Sequence, residues 1–225
     1  MVRVSFPIAE KGSQIWIQKV INEKPDLIDS QIRELCDSSI IKEIVWLSPL
    51  RDDGYAEYRD QTFIDLLGTQ LTNHPLSDFW PRGGPQWDAL GKASNESLIL
   101  VEAKSHIDEI NSPGTGAKKQ ASIDLIQQSL NATKDYLKSN SKVDWSRVFY
   151  QYTNRLAHLY LLRELNGLPA CLLNIYFYND VEQGGPDTIN EWKGAIELQK
   201  ILLGVRRHKL SKYMLEIFID VNDIE

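Results

Sequence analysis

At 225 residues with 42% hydrophobic content, the chain is long enough to bury a full core in one domain. A net charge of −6 excludes a molecule that traps polyanions by its overall charge, so any such binding needs a local basic patch. Cys36 and Cys171 stand alone, without a second thiol at metal-ligand or redox spacing, and the longest apolar stretch, ACLLNIYFY, is too short to cross a bilayer.

In chain order, the opening MVRVSFPIAEKGSQ lacks the apolar core of a signal peptide, so the expectation is a soluble cytoplasmic protein with reduced thiols and no membrane partner. Residues 13–36 read as two short helices, with Ser13 as an N-cap and Pro25 opening the second. KEIVWLSPL is a candidate strand stopped by Pro49. DDGYAEYRDQTFIDLLG predicts a helix with Ala56, Phe63, Leu66 and Leu67 on its apolar side and Gly68 at its end. HPLSDFWPRGGPQ reads as loop or very short strand. Two strands follow, about 86–91 and 97–104, joined by the polar turn GKASNE. Beyond the loop SHIDEINSPGTG come a long helix from about Ala117 to Lys138 and another from about Trp145 to Asn166. ACLLNIYFY is a buried strand, NEWKGAIELQKILLG a helix and MLEIFIDV a last strand. This alternation predicts an α/β fold, a mixed sheet sandwiched by helices. The expected organisation is one domain: a helical extension over 1–50, a core over 51–180, and a helix and strand over 181–225.

The chemistry concentrates at one strand end. Leu98–Val101 does not alternate, so its strand is expected to be covered on both faces, yet it runs straight into Glu102-Ala103-Lys104. Opposite charges there cost desolvation energy unless the protein uses them. Strand alternation places Glu102, Lys104 and His106 on one face. Asp88, on the preceding strand, comes beside Glu102 if both strands are extended. Two such carboxylates suit a hard divalent cation, and a lysine beside them can neutralise charge building on a phosphoryl group. The alternative is an ordinary cross-strand ion pair at a solvated strand end. A second acid-x-Lys triplet, Glu191-Trp192-Lys193, has no apolar strand before it and sits at a helix start, where glutamate is simply favoured.

Asp88 followed by Glu102-Ala103-Lys104 resembles the PD-(D/E)xK nuclease superfamily. The resemblance implies a restriction-endonuclease-like, three-layer α/β/α fold, ordered helix, three strands, helix, strand, over Tyr55–Asn179. It implies phosphodiester cleavage with Mg²⁺ (or Mn²⁺) held by Asp88, Glu102 and the Ala103 backbone carbonyl. Glu57, from the preceding core helix, would complete the site, with Asp60 as its rival. The first strand of the meander would fall within 73–82. DNA is the expected partner, ahead of RNA, and a homodimer is left open. A nuclease-fold protein that binds nucleic acid or protein without cutting is the second reading.

Other residues are secondary candidates for substrate contact. His106 shares the Glu102 face, and its ordinary alternative is an exposed loop histidine. Gln151, Asn154, Arg155 and His158 form one polar stripe on the helix from Trp145, so Gln151 and Arg155 either flank the site or belong to a solvated face. Arg206, Arg207, His208, Lys209 and Lys212 make the only dense basic run, read as phosphate contacts or as charges favoured at a helix C-terminus. Lys118 and Lys119 follow a loop that can close over substrate. Gly114 and Gly116 lack the spacing of a phosphate loop.

Overall fold

A computed structural model of the chain describes residues 3–4, 8–35 and 43–224. Along the sequence these give β1 (Arg3–Val4), α1 (Gly12–Glu23), α2 (Asp26–Leu35), β2 (Ile44–Ser48) and β3 (Glu57–Tyr58). Next come α3 (Gln61–Leu66), α4 (Leu76–Phe79), β4 (Ala89–Ala93), β5 (Leu98–Lys104) and α5 (Gln120–Leu137). Last are α6 (Tyr150–Tyr160), β6 (Ala170–Tyr178), α7 (Ile189–Leu203) and β7 (Met214–Asp220). Cys36 lies outside the described residues.

The central sheet runs β2-β4-β5-β6-β7. β2, β4 and β5 form an antiparallel meander, and β6 and β7 extend it in parallel. Helices cover both faces. Leu98 and Leu100 of β5 pack with Leu130 of α5 and Leu156 of α6 on one side. Ile99 and Val101 pack with Ile17 and Val20 of α1 and Ile28 of α2 on the other. The unalternating run is therefore buried on both faces, at roughly 1.5–3 kcal/mol of hydrophobic stabilisation per large side chain. β7 is an edge, and α2 caps it: the Gln31 amide donates to the Phe218 carbonyl (2.9 Å) and accepts from the Phe218 N–H (3.3 Å), as a neighbouring strand would.

Three expectations change. The helix expected across 52–68 is broken into a single 3₁₀ turn at Arg51–Asp53, the short β3, and α3. Gly54, Tyr55 and Asp60 all take positive φ, which no helix accommodates. The meander's first strand is β2, and residues 73–82 hold α4 and loop instead. Of the described residues before 50, β2 belongs to the central sheet, and α1 and α2 pack on one of its faces. Ser13 caps nothing; α1 starts from Lys11, and the Ser13 hydroxyl donates to Glu109 (2.9 Å).

Candidate active site at the end of strand β5

The ladder between β4 and β5 pairs Ala89 with Val101, which sets Asp88 across from Glu102. Asp88 donates its N–H to the Val101 carbonyl (3.2 Å), and its carboxylate accepts the Ala103 N–H (2.7 Å). The Ala103 carbonyl leaves β5 on the same side as that N–H, because both groups of a strand residue face one neighbour. Just upstream, the chain turns away from β5: Trp87, fully buried, bridges to Tyr58 of β3 instead. That bridge brings in Glu57, from a two-residue strand and not from a helix. The Glu57 carboxylate accepts from Gln14 of α1 (3.0 Å) and Gln86 (2.6 Å).

Across the cleft stands α6. Arg155 donates from Nε to one oxygen of Glu102 (2.6 Å), and its Nη2 is ion-paired with the same oxygen at 2.6 Å. Its remaining donors reach the Asn154 side chain (2.8 Å) and the Gln86 carbonyl (2.6 Å), and the guanidinium lies over the Trp87 ring at 4.9 Å. Lys104 pairs with the other Glu102 oxygen and donates to Gln151 (3.2 Å). The polar stripe of α6 is therefore no solvated face: Asn154, Arg155 and His158 are all buried.

These neighbours drive the two carboxylates apart. Burial raises the pKa of Asp88, and the Glu102 charge raises it further, well above the ordinary range. Glu102 is buried too, but Arg155 and Lys104 outweigh that penalty and hold it below its ordinary value. Glu57 is raised, first by burial and then, against the pull of Gln86 and Gln14, by Glu102. Lys104 is raised: burial opposes its charge, but Glu102 and Asp88 win, so it remains an ammonium.

Asp88 opens on a groove of about 350 Å³. Its walls are the Gly83–Gln86 loop and the Ser112–Gly114 loop, and its floor is the first turns of α6, with Gln151, Asn154 and Arg155. Both loops are fixed. Asp60 accepts the N–H groups of Gly83 (3.1 Å) and Gly84 (2.8 Å), and the Ser112 hydroxyl accepts the Gln151 N–H (2.8 Å). At Gly114 an added Cβ would lie 2.9 Å from the Ser146 carbonyl oxygen, so only glycine allows this wall its position.

The structure thus brings Asp88, Glu102, Lys104, Gln151 and Arg155 together, with Glu57 beside them. Asp60 serves as the anchor of the glycine loop. His106 lies elsewhere: its ring is 3.8 Å from Glu109, in a hollow shared with Gln183–Pro186 and Glu191. Arg206, Arg207 and Lys209 do not line the groove. Arg206 pairs with Glu197 beside a different hollow along β7, and Lys209 sits over the Tyr136 ring at 4.3 Å. Sequence reasoning missed the direct Arg155–Glu102 pair, and it missed Gln86 and Gln14 as partners of Glu57. It also missed the aromatic enclosure of His158 by Phe63, Phe79, Trp80 and Trp87. The signal for Arg155 was its place on the stripe facing β5.

In kind, the donors fit a hard divalent cation: a carboxylate pair across one ladder, with a backbone carbonyl on the same side. Among the described residues, however, no group of three or more His, Cys, Asp or Glu side chains is gathered for one ion. No family model, curated protein or solved structure matches the chain.

Proposed function

We propose that the protein is a divalent-cation-dependent phosphodiesterase acting on nucleic acid, with DNA ahead of RNA, through a PD-(D/E)xK-type site of Asp88, Glu102 and Lys104. One observation carries this: Asp88, with no direct ion pair among the described residues, faces Glu102 across the ladder, near Lys104, and opens on a groove. A meander of β2, β4 and β5 followed by α5, α6 and β6 supports this reading, with β3, α3 and α4 inserted between the meander's first two strands. A bound Mg²⁺ or Mn²⁺ would acidify an attached water and draw charge from a phosphoryl oxygen. Asp88, with the Ala103 carbonyl and Glu102, would hold it.

Lys104 stays protonated, so its work is electrostatic: the ammonium meets negative charge growing on the phosphate, and it does not remove a proton from water. Gln151 aims that ammonium by accepting a hydrogen bond from it. The glycine loops let a polymer backbone approach closely. The test is Mn²⁺ titration beside plasmid and single-strand cleavage. Asp88→Asn is expected to lose metal and cleavage together, while Lys104→Met keeps metal and loses cleavage. A Lys104→Met protein that cuts at the wild-type rate overturns this mechanism.

A second reading, binding without cutting, is favoured by the commitment of both Glu102 oxygens to cations already in the protein. It expects no rise in thermal midpoint with Mn²⁺, where a site-bound ion stabilises by mass action.

A further inference from the structure

Resting on the metal-site reading above, we infer that Arg155 is the resident cation of Glu102, standing where a second metal ion would, so that the site takes a single divalent ion, on the Asp88 side. The side chains of Arg155 and Glu102 are only 5% and 6% exposed. A desolvated pair of this kind persists only when its other donors are satisfied, and here Asn154, the Gln86 carbonyl and the Trp87 ring satisfy them. Guanidinium keeps its charge at any working pH, and its planar fork fixes the carboxylate's orientation. Held on so many sides, Arg155 cannot turn away cheaply to admit an ion.

Charge balance leads to the same number. Glu57, Asp88 and Glu102 face Arg155 and Lys104, three potential negative charges against two fixed positive ones. One divalent ion more than neutralises the remainder. A second would leave a large positive excess in a buried site, which the low local dielectric makes costly. Among the described residues neither Asp88 nor Glu57 has a direct ion pair, but both Glu57 oxygens already accept from glutamine amides, so the ion belongs at Asp88. Arg155 is then a positioning residue: it acts by holding Glu102 and by excluding a second ion.

Counting bound Mn²⁺ by calorimetry and electron paramagnetic resonance tests this on the full chain. Wild type and Arg155→Lys are expected to bind one ion per chain, lost with Asp88→Asn. Arg155→Met, which frees one Glu102 oxygen, is expected to bind a second ion, or to bind the first about tenfold more tightly. Two ions in the wild type overturn the inference, whether or not Arg155→Met folds. So does an Arg155→Met protein, shown folded by its metal-free melt, whose ion count and affinity equal the wild type's. In both of those cases the nuclease reading stands. No ion in the wild type overturns the two together.

Discussion

The end of β5 and the hollow beside β7 are both rich in charge, and they use it in opposite ways. At β5 Glu57, Glu102 and Arg155 are buried, and both of these carboxylates are committed: Glu102 to Arg155 and Lys104, Glu57 to two glutamine amides. Beside β7, in a hollow of about 490 Å³, the cations are more numerous and looser. Lys200 pairs with Glu216, and Arg206 with Glu197, the latter two being 64% and 44% exposed. A buried charge must be answered by a placed partner, so its partners reveal a site. An exposed charge is answered by water and salt, so its density reveals little.

The sharpest way to break this comparison is to remove one partner from each region. Arg155→Met leaves Glu102 buried with Lys104 alone and is expected to cost about 3–5 kcal/mol of stability. Glu197→Gln, which unpairs Arg206, is expected to cost less than about 1 kcal/mol. Urea unfolding of both variants measures the difference. Equal losses would mean that the β5 cluster is no better organised than the surface.

Next in size is chemistry. Lys104→Met is expected to slow cleavage about a hundred- to a thousand-fold, or about 3–4 kcal/mol of transition-state stabilisation, with its Mn²⁺ affinity kept or slightly improved. Single-turnover cleavage beside Mn²⁺ calorimetry reads both quantities. A drop in melting temperature without a specific loss of rate would make Lys104 a structural partner of Glu102.

The two regions each hold a histidine whose pKa is pushed down to about 4, and pH separates them. Burial lowers His158, with Arg155 adding to it against the Asn154 carbonyl, and burial and Lys200 lower His208. A histidine with its folded pKa below its unfolded value binds protons preferentially in the unfolded chain. Stability is therefore lost as pH falls from about 6.5 towards 4. For His158, fully enclosed by aromatic rings, the loss is expected to reach about 3 kcal/mol. His208 borders the open hollow, where solvent screening shrinks its share. Chemical denaturation between pH 7 and 4 should show His158→Phe flattening the acid limb far more than His208→Asn does; the reverse ranking would contradict the burial argument.

The β5 site was legible because its signals are local. An unalternating run ending in charge, with an aspartate one hairpin earlier, places Asp88, Glu102 and Lys104 by strand geometry alone. The stripe on α6 gave Gln151 and Arg155 a common face, but a pattern on one helix does not say what lies opposite, and Arg155 meets Glu102 from 53 residues away. Glu57 was assigned to a helix because Phe63, Leu66 and Leu67 carry helical spacing. The positive φ of Tyr55 and Asp60, which breaks that helix, has no strong residue signature. β2 was visible as a strand but not as the meander's first, since β3, α3 and α4 intervene before β4.

The smallest expected effect concerns the basic run itself. If Arg206 and Lys209 are surface charges engaged with Glu197 and the Tyr136 ring, replacing both with alanine removes little that substrate uses. Cleavage is expected to stay within about twofold of wild type, and stability within about 1 kcal/mol. The more discriminating measurement is binding to labelled single-strand and duplex DNA across a salt series. Each phosphate contact releases condensed counterions and adds roughly 0.7–0.9 to the slope of log affinity against log salt. With no contact the slope is unchanged in the double variant. A slope reduced by about one per residue replaced would make the β7 hollow a nucleic-acid surface after all. The two charged regions would then be parts of one track, and the contrast between buried and exposed charge would not divide function from solvation in this protein.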